Sequence, residues 1–414
     1  MSSGVTNPAE SRFPREARNG FDSVMIVSPF FWNFRDDMWQ TTHHIAVEFA
    51  RLRPTVLVEP PVQWNPRSEQ FRAHRLLHNL VGSRISSPRA NLVVFHRRSL
   101  PLGRYQPIRD FDLARNTRSL RRFLAGLGFR RTLLWHSFPY WSEALVEAVD
   151  PTRFAYHCLD YSARGEEARL IHRADVVFCV SETLVEKHKA LNPHVHLLPN
   201  GVDLDLYDRE RAANLPRPAD LPAAGRLIGF LGSINCHLDL ELLVRVADAF
   251  PKDYLILVGK ILTNETAPRA KQTDALRKLQ TRGNVRFLGF KPTRQLPIYL
   301  QAFDVCLIPF LGNSFNQECD PLKFYEYTAM GKPVVTTQLP VGKRYQELCY
   351  VADNPEGFVG CVSRALTEPD AEELGRQRVN LARTHSWESL AARAWGLSKE
   401  VEARPLALAG ERIG

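Results

Sequence analysis

Residues 318–337 read ECDPLKFYEYTAMGKPVVTT. This stretch predicts a polar loop that ends at Asp320-Pro321, a helix over residues 322–330 and a buried strand over residues 333–337. Asp320 suits the N-cap of that helix and Pro321 its first position. Gly331 suits the left-handed residue that ends a helix. A loop, a helix and an apolar strand in this order indicate one unit of an α/β fold.

Three charged residues lie in or beside the predicted helix. Glu318 and Glu326 are eight positions apart, and Lys323 lies near the helix start. Free N–H groups and a lysine at a helix N-terminus attract phosphate, and a carboxylate one turn later can accept sugar hydroxyls. The stretch therefore predicts a nucleotide-sugar site. The alternatives are a solvated loop acid for Glu318 and a surface lysine for Lys323; Glu326, on an otherwise aromatic helix, is harder to dismiss.

The same alternation of strand and helix patterns extends over most of the chain. Its 414 residues are too many for one ordinary core. A polar segment with several prolines, residues 208–226, separates two such series. We predict an α/β protein with two Rossmann-like parallel-sheet domains facing a central cleft. Its parts are a disordered leader (1–20), an N-terminal domain (21–205), a linker (206–226), a C-terminal domain (227–385), and a final helix and tail that cross back to the N-terminal domain (386–414).

Composition predicts a soluble globular protein, and the lack of an export signal predicts a cytoplasmic site. Hydrophobic residues make up 44% of the chain and charged residues 24%. No apolar run reaches the ~18 residues of a membrane span, and the N-terminus lacks the apolar core of a signal peptide. The seven cysteines are odd in number and scattered, which indicates neither a disulfide framework nor a zinc-binding spacing.

Positive charge is concentrated in residues 51–131. This segment holds seventeen arginines and four acids, and it has no lysine. It is interpreted either as a solvated surface in an arginine-biased chain or as a face that meets anionic lipid or an acidic acceptor. Residues 69–81 predict a basic amphipathic helix, which would lie on a membrane or pack on its own domain. No nucleic-acid-binding motif accompanies the charge, so we expect no nucleic-acid partner.

Four motifs carry a resemblance to a known family. They are LPNGVD (198–203), LGSINCHLDLELL (231–243), GFKPTRQLPIYLQAFDVCLIPF (289–310) and DPLKFYEYTAMGKPVV (320–335). The segments SPFFWNF (28–34) and VLVEPP (56–61) match more loosely. The chain resembles the family 4 glycosyltransferases of the GT-B architecture, and within them the bacterial envelope-polysaccharide enzymes of the teichuronic-acid type.

The resemblance implies roles for several residues. Glu326 would bind the ribose hydroxyls of the nucleotide, and Glu318 would contact the transferred sugar. The segment Asp320-Pro321-Leu322 would present backbone N–H groups toward the sugar and the phosphate. Pro321 itself has no N–H, so the donors would be those of Asp320 and Leu322. His136 follows a predicted strand (131–135), where family members often place a histidine that faces the donor sugar. A satisfied histidine in an aromatic loop is the alternative.

One segment departs from the family pattern. Relatives often carry an arginine and a lysine after the first strand of the second domain, where they neutralise the diphosphate. Here the segment GSINCHLDLELL has only His237 as a base. Lys323 is the predicted substitute, and Lys260 and Arg294 are further candidates. Ser233 and Asn235 complete the predicted donor-binding set.

Residues on the acceptor side are expected at strand ends of the first domain, because ligands bind at the carboxyl edge of such sheets. Trp32 and Asn33 follow the first predicted strand. Asp160 follows a later one, and it is either an N-cap or a cleft residue.

The resemblance implies a retaining glycosyltransferase. It would move a sugar from a nucleotide-diphosphate donor to a hydroxyl of a glycan or polyprenyl-linked acceptor in envelope polysaccharide synthesis, in the cytoplasm or at the inner face of the membrane. We expect no Asp-x-Asp motif at cleft positions and no metal-ligand cluster, and we therefore predict a metal-independent enzyme without a cofactor. The alternatives are a sugar-nucleotide epimerase or hydrolase, and a non-catalytic protein that binds nucleotide sugars. The missing basic pair supports the last of these.

Overall fold

The computed structural model describes residues 20–32, 39–60, 83–100, 105–137, 146–147, 149–160, 166–262 and 269–402. Its first sheet has eight strands among these residues, in the spatial order β3-β4-β2-β1-β5-β6-β7-β8. In chain order the strands are β1 (Ser23–Val27), β2 (Thr55–Val58), β3 (Ile85–Arg89), β4 (Leu92–Phe95), β5 (Thr132–Ser137), β6 (Arg153–Cys158), β7 (Val176–Cys179) and β8 (Val195–Leu197).

All neighbouring strands of this sheet are parallel except β3 and β4. The antiparallel strand β3 was not predicted, because its sequence ISSPR is polar, exposed and contains a proline. Such a strand is tolerated at the edge of a sheet, and the structure places it there.

The second sheet has six parallel strands within the described residues, in the order β11-β10-β9-β12-β13-β14. They are β9 (Leu227–Leu231), β10 (Tyr254–Val258), β11 (Val285–Gly289), β12 (Val305–Ile308), β13 (Val334–Thr337) and β14 (Tyr350–Ala352). Two α/β domains built on parallel sheets confirm the predicted fold class.

Helices cover both sheets. Those of the first domain, within the described residues, are α1 (Thr41–Leu52), α2 (Gln106–Leu127), α3 (Glu166–Arg173) and α4 (Glu182–His188). Helix α5 (Arg209–Ala213) lies in the predicted linker. The second domain has α6 (Leu240–Ala249), α7 (Arg269–Thr281), α8 (Leu296–Ala302), α9 (Ser314–Glu318), α10 (Leu322–Ala329), α11 (Pro340–Arg344), α12 (Pro355–Leu366) and α13 (Ala371–Thr384), and α14 (Trp387–Glu400) follows it.

Helix α14 packs on the first domain. The ring of Trp387 stacks on that of His44 in α1, with centroids 4.9 Å apart. Arg153 Nε in β6 donates to the carbonyl of Ser398, 3.2 Å away. Leu390 and Ala394 are buried in the core that also contains Phe49. The last helix of the described residues therefore packs against and supports the first domain.

Three predictions lie outside the described residues: the leader up to residue 19, the basic amphipathic helix at 69–81, and the placement of Asn33. No helix in the described part of the chain combines the length and hydropathy needed to cross a membrane.

Candidate functional site

The stretch 318–337 forms the predicted helix and strand, as α10 and β13. Gly331 has φ +69° and follows the helix, as predicted. The predictions that Asp320 is the N-cap and that Pro321 is the first helical residue are both wrong, because the helix begins at Leu322 and Pro321 is its N-cap. The carboxylate of Asp320 accepts hydrogen bonds from the backbone N–H of Asn200 (2.7 Å) and from Tyr325 Oη (3.0 Å). Asp320 therefore ties the second domain to the end of the first.

Helix α10 forms one wall of a cavity of about 230 Å³ where the two domains and their linker meet. Three predicted donor-binding residues line it: Leu322, Glu326 and Arg294. Other lining residues were not predicted. Thr293 comes from the second domain, and the rest come from the first domain, the linker and α14: Trp39, His44, Arg89, Gly201, Val202, Asp203, Leu206, Tyr207 and Trp387. Aromatic residues near the predicted cleft could have indicated this part of the wall. Trp39 precedes a helix, and Tyr207 lies in a segment interpreted as a linker.

Glu326 is half-buried and lines this cavity. Burial raises the pKa of its carboxyl group, and the neighbouring Tyr207 and Lys323 oppose that rise. The Tyr207 hydroxyl is buried beside it, but no hydrogen bond of normal geometry joins the two groups. Both groups therefore keep hydrogen-bonding capacity for a ligand in the cavity.

Lys323 is half-buried rather than a surface lysine. Its ammonium lies 4.7 Å from the ring centre of Phe310 and 5.5 Å from that of Phe230. Burial lowers its pKa, while Glu326 raises it. A Cβ at Gly232 would lie 3.3 Å from Lys323 Cε, so the loop after β9 passes directly over the lysine.

The loop after β9 carries Ser233 and Asn235. It is fixed to the loop after β10 by a hydrogen bond from Ile234 N–H to the carbonyl of Lys260 (2.8 Å). Asn235 Oδ1 accepts the backbone N–H of His237 (3.0 Å), so its side chain shapes the turn. The structure therefore brings this loop and Lys323 together at the start of α10.

The two other candidate cations are exposed. The ammonium of Lys260 lies 4.9 Å from the ring centre of Phe290. Arg294 lines the cavity opposite the first domain, together with Glu326.

Glu318 lies in an interdomain contact. It ends the short helix α9, is 8% exposed, and accepts hydrogen bonds from Lys187 Nζ of α4 at 2.9 and 3.0 Å. The interpretation as a solvated loop acid is therefore wrong. The sugar contact stays a prediction, and it would require this carboxylate to leave Lys187 or to share it.

Asp160 also meets the second domain. It follows β6, and its Oδ1 accepts a hydrogen bond from the thiol of Cys319, with 3.4 Å between the two atoms. Burial raises its pKa to about 6, and the Cys319 hydrogen bond opposes that rise. This placement favours the cleft interpretation; residues 161–165, where a cap would act, lie outside the described residues.

His136 lies inside β5 and not beyond its end, so the predicted strand was too short. It is fully buried, and neither ring nitrogen has a hydrogen-bond partner among the described residues. Burial lowers its pKa to about 3, which keeps the imidazole neutral. The interpretation as a satisfied histidine in a loop is wrong on both counts, and contact with the donor sugar stays a prediction.

Trp32 lies near the cavity without lining it. Its backbone N–H donates to Glu59 Oε1 (2.8 Å), and its ring centre is 5.3 Å from that of Trp39. It thus supports one of the aromatic residues of the cavity wall.

The expectation of no Asp-x-Asp motif at cleft positions is wrong, because one such sequence, residues 203–205, reaches the cleft. Asp203 and Asp205 line the cavity region between α1 and the linker. Asp203 Oδ1 accepts the backbone N–H groups of Asp205 and Leu206, both at 3.1 Å. One of its oxygens therefore stabilises a turn; metal independence stays a prediction.

Comparisons with known proteins agree with this geometry. Residues 225–368 match the family model described as glycosyl transferases group 1. The chain is 28% identical over 288 residues to TuaH of Bacillus subtilis strain 168, which bears the name of a teichuronic acid biosynthesis glycosyltransferase; the match covers 63% of this chain and 70% of that one. Matches to six other curated relatives cover 47–63% of their lengths.

Solved structures share the whole fold. Sucrose-phosphate synthase from Thermosynechococcus elongatus superimposes with a TM-score of 0.66 at 16% identity, over 91% of this chain and 98% of that one. The Escherichia coli trehalose-6-phosphate protein bound with UDP-2-fluoro glucose gives a TM-score of 0.65 at 11% identity, over 92% and 99%. At these identities the likeness shows the arrangement of the two domains alone.

Proposed function

We propose that this glycosyltransferase, whose residues 225–368 match the group 1 family model, takes its sugar from a nucleotide-diphosphate donor and retains the sugar's configuration. The acceptor in this proposal is a hydroxyl of a glycan or a lipid-linked molecule in envelope polysaccharide synthesis. The similarity to TuaH supports that class of acceptor, and the fold shared with a protein bound to UDP-2-fluoro glucose supports that class of donor.

The observation that carries the proposal is the position of Glu326. Its carboxylate lines a cavity at the junction of the two domains, with Tyr207 and Arg294 around it. A carboxylate there can accept both hydroxyls of a ribose, and such charge-assisted hydrogen bonds are about twice as strong as neutral ones. Trp39 and Trp387 give the same cavity aromatic walls, which suit the base of a nucleotide.

Departure of the diphosphate requires positive charge near its oxygens. Lys323 lies one residue into α10, three residues before Glu326, so a nucleotide held by Glu326 would place its phosphates within reach of this ammonium. Partial burial makes such a charge more effective than one in water, because the local dielectric is lower. Lys323 would thus replace the basic pair that is missing after β9.

The remaining steps fall to residues at the domain contact. In this proposal the departing phosphate accepts the proton of the acceptor hydroxyl, and Glu318 positions the sugar once Lys187 releases it. His136, neutral and buried, would serve as a hydrogen-bonding group and not as a charge.

A screen of nucleotide sugars tests the proposal. We expect one donor to raise the melting temperature of the wild-type protein and to be hydrolysed slowly without acceptor. Glu326→Ala should lose both effects, whereas Glu347→Ala, an exposed glutamate of the second domain, should keep them. Failure of every common donor to bind the wild type would contradict the proposal.

Product analysis separates the alternatives. An epimerase converts the donor without any acceptor, and a non-catalytic protein binds a donor but never turns it over. Transfer of the sugar to an added lipid-linked or glycan acceptor is the outcome that we expect.

We also propose that the first domain contacts an anionic membrane. Helix α2 exposes Arg109, Arg118, Arg121 and Arg122 beside Phe111, whose exposed fraction is 58%. Basic residues near an anionic surface contribute about 1 kcal/mol each, and an exposed aromatic ring favours the lipid–water interface.

Vesicle sedimentation tests this contact. Vesicles with phosphatidylglycerol should retain the protein, and pure phosphatidylcholine vesicles should not. Binding should weaken in high salt, because salt screens surface charge. A triple substitution of Arg118, Arg121 and Arg122 by Glu should abolish retention; equal retention of that variant would contradict the proposal.

A further inference from the structure

Three side chains that can ligate a metal meet inside the first domain, away from the cavity, contrary to the expectation of no metal-ligand cluster. Cys158 ends β6, Glu167 lies in α3, and His188 ends α4. All three are buried, with exposed fractions of 1%, 5% and 4%. Cys158 Sγ lies 3.5 Å from Glu167 Oε1 and 3.7 Å from His188 Nε2, and the three atoms all lie within 4.8 Å of one another.

We propose that this cluster binds a zinc ion through Cys158 Sγ, Glu167 Oε1 and His188 Nε2. In a tetrahedral site, zinc lies about 2.3 Å from sulfur and about 2.0 Å from nitrogen or oxygen, which separates neighbouring ligand atoms by roughly 3.5 Å. The two distances from Cys158 match that spacing, so these contacts need little change to admit the ion.

The chemistry of the three ligands selects the metal. Sulfur together with imidazole nitrogen favours zinc, whereas magnesium and calcium prefer oxygen alone. The fourth position would be taken by water, as in sites with three protein ligands.

The charges of the buried ligands would balance the charge of a zinc ion. The thiol of Cys158 loses its proton to solvent when it binds the metal. One thiolate and one carboxylate then balance the two positive charges of zinc, and imidazole adds none.

A neighbouring group would hold the carboxylate in place. Tyr156 Oη donates a hydrogen bond to Glu167 Oε1 (2.9 Å). Hydrogen bonds of this kind orient metal ligands in known sites. The bound ion would join β6, α3 and α4, and α4 also carries Lys187, the partner of Glu318. Binding of the ion does not depend on the proposed transfer reaction.

Cobalt titration of the full chain tests the site. The reduced protein is stripped with a chelator and titrated with Co²⁺, which reports thiolate ligation by a charge-transfer absorption band. We expect the band to saturate at one equivalent and to disappear when zinc is added. Cys158→Ser should abolish it, and His188→Ala should weaken the affinity at least tenfold. Cys349→Ser, at another buried free thiol, should leave it unchanged.

Absence of the band in the wild type, or its persistence in Cys158→Ser, overturns the proposal. If Cys158→Ser does not fold, alkylation of the wild-type protein decides the question by peptide mapping. Zinc should slow the modification of Cys158 relative to Cys349, and equal rates with and without zinc overturn the proposal.

Discussion

Lys187 in the first domain donates hydrogen bonds to both carboxylate oxygens of Glu318 in the second, at 2.9 and 3.0 Å. Next to this pair, Ser181 Oγ donates to the backbone carbonyl of Glu318 (2.8 Å), and Arg344 pairs with Glu182. Helix α4 is therefore bound to the second domain along one face. The carboxylate predicted to touch the sugar also holds the two domains together.

Substitutions at Lys187 and Glu318 should separate these two roles. We expect Glu318→Gln to lower both thermal stability and turnover, and Lys187→Met to lower stability alone. In the Lys187→Met background, Glu318→Gln should still lower turnover but should lower stability much less, since the ion pair is already lost. A double-mutant cycle on unfolding free energies should give a coupling of about 1 kcal/mol.

Lys189→Met is the matched control, because Lys189 is exposed and forms an ion pair with Glu186, three residues earlier in the chain. Lys189→Met should change neither thermal stability nor turnover. Full turnover in Glu318→Gln would show that Glu318 has no part in the reaction.

Asp320 should make stability depend on pH. Burial raises its pKa from the ordinary 3.8 to about 7, with Arg344 opposing. The native state then holds this proton more tightly than the unfolded chain does. The contribution of Asp320 to the free energy of unfolding is therefore highest below about pH 4, falls as the pH rises to about 7, and is constant above that.

Asp320→Asn imitates the protonated form and should remove that slope. The quantity to measure is the difference in unfolding free energy between variant and wild type at intervals from pH 4 to pH 8, in which other titrating groups cancel. The difference should favour the variant increasingly towards pH 7. A difference that does not change with pH would contradict the raised pKa.

Gly259 should tolerate no side chain. It has φ +150°, and a Cβ there would lie 1.9 Å from the carbonyl oxygen of Gly232, in the loop that covers Lys323. Gly259→Ala should therefore displace that loop, weaken donor binding at least tenfold and lower the melting temperature. Gly360→Ala is the control, because its Cβ would meet no atom within 4 Å and its φ is ordinary. Wild-type donor binding in Gly259→Ala would contradict this account of the loop.

Local patterns predicted the framework and one wall of the site. Apolar runs such as residues 227–231 and 305–309 coincide closely with β9 and β12, because strands buried on both faces need apolar side chains at every position. Pro321 and Gly331 bound α10 for local steric reasons, so the positions of Lys323 and Glu326 followed from them. Helix α7 was missed, because its sequence RAKQTDALRKLQT is polar and only weakly amphipathic.

Contacts between distant residues could not be predicted in this way. Asp320 looked like a helix cap because its neighbours in sequence favour one, but Asn200, 120 residues earlier, supplies its N–H donor. Asp203, Tyr207 and Trp387 reach the cavity only because the linker and the last helix meet there. The spacing of residues along the chain does not predict such long-range contacts, because they depend on tertiary packing.

The cation that serves the diphosphate should be Lys323. Lys323→Met keeps a flexible apolar side chain between the rings of Phe230 and Phe310 but removes the charge. A lost charge-assisted hydrogen bond of about 1.5–3 kcal/mol corresponds to a fall of roughly 10- to 150-fold in kcat/KM for the nucleotide sugar. The melting temperature without ligand should stay the same or rise, because a half-buried charge has been removed.

Lys260→Met and Arg294→Met, made in parallel, should each change kcat/KM less than threefold. If Arg294→Met gives the large loss and Lys323→Met does not, the phosphates lie towards the cavity mouth and Lys323 has no part in neutralising them.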